Sequence, residues 1–421
     1  MTNAAREFRD SLRLLGTRRF GTFWLASLLS NIGTWAQQVA EPWLLLSLGA
    51  SPFLIGLDSF VMNAPVWLLT LIGGVLADRA DRRRVIALFQ SIQMLCPTVI
   101  VALLAYGSIQ PLVIIALSLI VGITDALSMP SFQSIVPSIV RRDQIARGLA
   151  LNSTQFNLSR ILGPAIAGVL MASVGAIACF ALNAASYIPF IGVALWILPR
   201  RAARSPSDQA FDRGRLLSDL REIAHAPVLR GALLTVFATS VLCGPLITFT
   251  PVLVSAAFHG NSSDFSAAVG AFGIGGLLGA TGLLTIPAEQ DRRRWSSRSA
   301  VVYGLTVTFI ALVPWFWGVP ALMIFAGASM TVSNTSANSL LQGAANPRLL
   351  GQTVSLFMLA TRGGIPLGAL LTGLSTEMIG VRPALLANGV LAVVVHLVIA
   401  RAWLRSPLPK PVATSGNNAG T

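Results

Sequence analysis

The feature that most constrains this chain is an apolar run of roughly twenty residues that recurs from one end to the other. A hydrocarbon core about 30 Å thick is crossed by about 20 residues of α-helix. On that rule the first six runs read as spans over 20–48, 52–77, 85–106, 109–136, 146–173 and 176–198. A polar stretch follows, and then spans over 231–256, 264–286, 299–318, 320–342, 351–379 and 382–404. Charged residues make up only 11% of the chain, against about 25% in a soluble domain. Lipid offers no hydrogen bonds, so each run must satisfy its own backbone as a helix. The fold class is therefore an all-α membrane protein with twelve transmembrane helices. The first run opens near Phe20 with no small-residue cleavage pattern before it, and reads as an uncleaved first span.

The positive charge orients the spans. A formal net charge of +14 could indicate a nucleic-acid partner, but the arginines form no single patch or tail. They cluster in alternate connections: before span one, after spans two, four, six, eight and ten, and after span twelve. Only Arg382 falls in a connection on the other side, and Arg160 and Arg362 lie within spans. The positive-inside bias places the arginine-bearing connections and both termini in the cytoplasm. Losing one span would scramble the alternation. The expected partners are the bilayer and a small-molecule substrate, with no nucleic acid and a monomeric chain.

The organisation is a first six-helix half over 1–198, a cytoplasmic linker over 199–230, a second half over 231–404 and a disordered tail over 405–421. Leu216, Leu220 and Ile223 recur at helical spacing in the linker, as Phe8, Leu12 and Leu15 do before span one, so each predicts an amphipathic helix. The halves look related. Arg160 and Pro164 in span five are matched by Arg362 and Pro366 in span eleven, each 202 residues later, and Arg82–Arg84 after span two are matched by Arg292–Arg294 after span eight. Duplicated bundles of this kind can rock about a site near the midplane.

Gly74-Val-Leu-Ala-Asp78-Arg79-Ala-Asp-Arg82-Arg83 closes span two. It resembles the signature loop of the major facilitator superfamily, G-x-L-a-D-R-x-G-R-R/K, with Asp81 in place of the second glycine. That variant is similar to the branch containing the enterobactin exporter and bacterial drug efflux proteins, as are Ser30-Asn31-Ile-Gly33, Ser51 to Gly56 and Gly163-Pro164. The resemblance implies the twelve-helix major facilitator fold, set in the inner membrane of a bacterium, and a cytoplasmic gate formed by Gly74, Asp78, Arg79, Arg82 and Arg83. A carboxylate at a helix C-terminus faces unfavourable carbonyl dipoles, so Asp78 needs a partner, which the resemblance places in the other half. Arg83 and Arg84 taken singly read as topology charges. Gly163, Pro164 and Gly168 resemble the antiporter motif of span five, with Ser159 and Ala167 in place of two of its glycines. This points to export, or to close packing alone.

Ionisable residues at membrane depth mark candidate sites. Glu41, two-thirds through span one, shares that span with Asn31, Gln37 and Gln38. It is either a proton- or cation-binding carboxylate or a residue solvated near the outer surface. Asp58 reads as interfacial. Asp125 in span four and Arg160 in span five share a half and are expected to pair. Arg362 has no obvious acid to pair with in its own half, and faces either an anionic substrate group or backbone carbonyls. Asn152, Gln155, Asn157, Asn334 and Asn338 would enrich a central cavity or, taken singly, form interhelical hydrogen bonds, and Trp35, Trp43, Phe60 and Trp67 could line an aromatic pocket or lie at the interface or against lipid. Drug antiporters often carry an arginine in span four, and this chain has none there, which leaves the coupling step open.

Together these features predict a secondary exporter of small amphipathic molecules (drug, siderophore or metabolite), proton-coupled, working by alternating access and needing no cofactor beyond the proton gradient. No Walker-type phosphate loop is present. Cys96, Cys179 and Cys243 lack metal-ligand spacing, and His225, His259 and His396 form no catalytic cluster, so neither metal chemistry nor an enzyme is expected. An importer of the same superfamily, or a non-transporting sensor or scaffold on the same fold, are the alternatives.

Overall fold

The computed structural model describes residues 13–79, 81–133, 135–141, 144–197, 221–285, 287, 290–344 and 350–405. Twelve long helices succeed one another. The first six are α1 (Arg18–Ser47), α2 (Pro52–Arg79), α3 (Arg82–Ala105), α4 (Pro111–Gln133), α5 (Ile145–Ser173) and α6 (Ala176–Trp196). The second six open with α7, in two pieces (Pro227–Leu242 and Pro245–Phe258). Then come α8 (Ser262–Leu284), α9 (Arg292–Leu312), α10 (Gly318–Ala344), α11 (Leu350–Ile379) and α12 (Val381–Leu404). A short turn of helix, Ile135–Ile139, follows α4. The break in α7 falls at Cys243-Gly244, where Pro245 opens the second piece without a backbone N–H to continue the ladder.

Nine helical stretches are long and apolar enough to cross a membrane on their own, counted among the described residues. The remaining three, α1, α9 and α10, have 30, 21 and 27 residues but interrupt their apolar sequence with Gln37-Gln38-Glu41, Arg292–Arg298 and Ser333–Ser339. The twelve spans agree with the sequence reading to within a few residues except at the ninth. Expected over 299–318, it runs over Arg292–Leu312 instead. Its arginine triplet enters the helix because Asp291 caps it, accepting from the Arg293 amide at 2.9 Å. Asp81 does the same for α3, accepting from the Arg83 amide at 3.0 Å. A capped Asp-Arg-Arg-Arg thus recurs 210 residues apart.

The packing repeats as well. In the first half α1 packs on α5 and α6, α3 on α6, and α2 on α4; in the second, α7 packs on α11 and α12, α9 on α12, and α8 on α10. The halves meet through α2 against α11 and α5 against α8, which are equivalent under the same six-helix shift. Helix ends alternate between two faces, and the arginine clusters fall on one of them, here called the basic face. On the opposite face the connections are tight, turning on Gly49, Gly107, Gly175, His259 and Gly380 at positive φ.

The apolar core is forked. One large cluster takes buried residues from all twelve helices toward the opposite face, among them Leu45, Ile55, Phe180, Phe249, Phe265, Val307 and Leu385. Toward the basic face it is replaced by two clusters, one per half. The first joins Phe20, Phe23, Ile86, Ile135 and Phe190; the second joins Ile223, Leu229, Val236, Leu341, Phe357 and Trp403. The halves are fused at one face and parted at the other. Of the predicted linker helix, Leu216 and Leu220 lie outside the described residues, while residues 221–225 are helical and Ile223 is buried in the second cluster. Phe8, Leu12 and the tail from 406 onward also lie outside them.

Candidate transport pathway and buried carboxyl site

Two polar constellations sit inside the fold. The first straddles the halves. Asp125, midway along α4, accepts from Arg362 Nη1 of α11 at 2.5 Å. Both side chains keep about a third of their surface exposed, 37% and 31%, so they line open space between the halves. The expected Asp125–Arg160 pair is therefore corrected. Arg160 lies with its guanidinium carbon 5.9 Å from the centre of the Trp35 ring, and its Nη2 is 3.6 Å from Met330 Sδ on α10. Closeness in the chain does not set this pairing, because helix rotation turns Asp125 toward the other half. The acid for Arg362 comes from the opposite half, where no sequence pattern advertises it.

The second constellation lies within the first half. Glu41 is 3% exposed. Its Oε1 accepts from Ser118 of α4 at 2.6 Å and its Oε2 from Gln37 Nε2 at 3.2 Å. Gln37 Oε1 in turn accepts from Asn183 Nδ2 of α6 at 2.7 Å. Asp58 of α2, 5% exposed, stands within hydrogen-bonding reach of both Glu41 and Ser118. Its expected interfacial position is thus corrected: it is buried against another carboxyl. The sequence carried a signal for this. Glu41 lies six residues before the end of α1 and Asp58 six residues after the start of α2, so the short hairpin sets them at one depth. A cavity of about 20 Å³ adjoins Glu41, lined also by Thr34, Gln38, Gln93 and Tyr187. Asn31, half-buried, is ten residues nearer the basic face and stays apart from this group.

The small residues of α5 face two ways. A Cβ on Gly163 would fall 2.3 Å from Trp35 Cβ, so this glycine admits α1; one on Gly168 would fall 3.0 Å from the Ser266 carbonyl, so that one admits α8 of the other half. Pro164 is buried inside the same helix. On the fused face Gly56 meets the Ala369 carbonyl, Trp43 stacks on Phe265 at 5.2 Å, and the Phe53 amide donates to Glu377 at 3.0 Å. The expected aromatic pocket is dispersed: Trp35 meets Phe156, Phe60 meets Trp67, and Trp43 bridges the halves. Of the gate residues, Gly74, Asp78 and Arg79 end α2 and Arg82 opens α3, and their side chains lie outside the described residues. Arg83 donates to the Leu195 carbonyl at the end of α6.

A forked twelve-helix bundle with a charge pair between its halves invites comparison with known transporters. The profile of one family, described as transmembrane secretion effector, matches residues 11–415. This chain belongs to that family, within the major facilitator superfamily. It is 26% identical to the staphyloferrin A transporter of Staphylococcus aureus over 373 residues, covering 85% of this chain and 90% of that one. It is 24% identical to the multidrug efflux pump Tap of Mycolicibacterium fortuitum over 376 residues, 86% of this chain and 90% of the relative. It is 23% identical to macrolide efflux protein A of Streptococcus pyogenes over 384 residues, 90% and 95% of the two chains. Among solved structures, the nucleoside transporter NupG superposes with a TM-score of 0.68 at 14% identity, covering 93% of this chain and 100% of that one. A bacterial homologue of the human lysosomal transporter Spinster, inward-facing and occupied, gives 0.68 at 16% identity over 92% and 98%. At those identities the structural likeness establishes the fold alone. As a family member this chain is a multi-pass inner-membrane transporter of small molecules and not an enzyme.

Proposed function

We propose that this transporter is a proton-driven exporter of small amphipathic molecules, working by alternating access. The observation that carries the reading is the forked core, fused on one face and parted on the other, with Asp125 and Arg362 joined where the halves diverge. The arginine clusters favour a cytoplasmic position for the parted face and both termini. Substrate enters there, and the bundle then rocks to part the opposite face. A bistable pair of packed interfaces supports two discrete states rather than a continuum.

The geometry also supports an order of contacts. Arg160, close to the Trp35 ring and to a methionine sulfur, offers a cation beside apolar surface, suited to an amphipathic substrate with an acidic group. The relatives whose names carry multidrug or macrolide efflux favour export over import.

Inverted membrane vesicles from a strain overproducing the protein test the proposal. An imposed pH gradient, acid inside, should drive accumulation of members of a panel of anionic, neutral and cationic amphipathic fluorophores. Its dissipation by an uncoupler should release them. No gradient-dependent flux across the whole panel would refute proton-driven export.

A further inference from the structure

We propose that Glu41 and Asp58 together form a proton-binding carboxyl pair buried inside the first half, apart from the pathway between the halves. The inference rests on the proton-driven reading above for its purpose, though not for its chemistry.

Two carboxyl groups in hydrogen-bonding reach cannot both ionise in a buried site without a cation between them. Among the described residues no cation stands between Glu41 and Asp58. The groups turned toward them are neutral donors, Ser118 from α4 and Gln37 from α1. The nearby titratable groups are the Cys96 thiol of α3 and the Tyr187 phenol of α6. Asp125 of α4 is engaged by Arg362, Arg160 of α5 lies by Trp35, and Glu377 of α11 receives the Phe53 amide at the start of α2. The pair therefore holds one proton between its oxygens at all times. A second proton makes it neutral, and that proton is the one exchanged: the O–H bond breaks, the proton passes to water, and the pair is left with one negative charge.

Two further observations point to a ligand at the site. Asp58 Oδ1 and Gln93 Nε2 are buried with no hydrogen-bond partner among the described residues, and Gln93, 4% exposed, lines the cavity that Glu41 also lines. At about 20 Å³ that cavity has room for one water. A water there, accepting from Gln93 and facing Glu41, would give the proton its first step out of the pair, past the Tyr187 end of the cavity.

Infrared difference spectroscopy of the full-length protein in nanodiscs, stepped in pH, reads the site directly. The wild type should show a protonated-carboxyl C=O band that titrates and shifts in D2O. E41Q and D58N should each move its midpoint, and E41Q/D58N should abolish it, each variant being first checked as monodisperse. S118A leaves the charges alone and removes a donor to the ionised form, so it should raise the midpoint. D125N should leave the band in place. A wild type without a titrating band, or a band unchanged in E41Q/D58N, overturns the inference. Vesicle transport separates the two readings. If the band behaves as expected while the wild type drives no gradient-dependent flux, the site stands and the driving force was misassigned. If gradient-driven flux survives E41Q/D58N undiminished, the pair is not the coupling site.

Discussion

Asp125 of α4 and Arg362 of α11 meet at 2.5 Å across the divide between the two halves. The pair stands where one fused core gives way to two separate ones. Its contact exists only while α4 and α11 are held at this angle. That makes it a tie whose breaking accompanies rocking.

The tie sets the first prediction. At about one-third exposure the pair contributes about 1 kcal/mol to the state seen here, a roughly five-fold bias in population. D125N and R362Q should each relax the bundle toward the alternate state. The exchange D125R/R362D should restore part of the bias. Spin-label distances across the basic face, measured in all three variants, check this, and unchanged distributions would remove the pair from the mechanism.

Glycines on the fused face set the second. A Cβ on Gly56 would fall 2.4 Å from the Ala369 carbonyl, which is backbone and cannot swing away. G56V should pry this face open and lower export about ten-fold or more, because packed interfaces do not absorb such overlap. A cysteine placed beside Phe53 should become reactive to a membrane-impermeant thiol reagent in that variant only. The native Cys96, Cys179 and Cys243 are buried and leave a quiet background.

Arg160 sets the third. R160A should cut apparent affinity for anionic amphipaths about ten-fold while changing cationic ones little. R160K keeps the charge but not the planar group over Trp35, so it should fall between. Competition assays in vesicles resolve the three, and equal loss for all charge classes would mean that Arg160 only braces the helices.

Asp291 sets the fourth. Partial burial pushes its carboxyl up, but hydrogen bonds from the Arg293 side chain and amide, with the charges of Arg293 and Arg294, outweigh this and hold it below the usual carboxylate value. A depressed folded value means the stabilisation is present above the unfolded pKa of about 3.9 and is lost as pH falls through the lower folded value. D291A, which also removes a helix cap, should cost about 1 kcal/mol at pH 7. The gap in thermal stability between D291A and wild type should close in acid below about pH 4. A gap that is constant with pH would show that only packing was lost.

The spans, their alternation and the duplication were legible because apolar length and arginine position are properties of the chain alone. What lay beyond reach depended on helix rotation and on contacts between halves. The apolar run at 299–318 drew the ninth span too late because arginines count against a helix in any hydropathy scan, yet Asp291 caps them into one. One of those arginines is then absorbed at the boundary: Arg293 is 4% exposed and donates to the Trp403 carbonyl at 3.4 Å. Arg362 looked acid-free because its acid, Asp125, comes from the opposite six helices. Asp58 reads as interfacial when taken alone, whereas its spacing from Glu41 across the α1–α2 hairpin sets the two carboxyls at one depth. The depth of Glu41 was legible from its place in span one, and the residue is buried there.

The forked core has a consequence for any compound meant to block this protein. A solute arriving at the tightly turned face meets a continuous plug of side chains from all twelve helices, sealed by Leu45, Phe180, Phe249 and Phe265. On the orientation proposed above, the mouth lies at the other end, beneath the membrane. A molecule that never enters the cell, however well it fits the cleft, would then find no door in this shape, whereas one that accumulates inside would arrive already on the correct side.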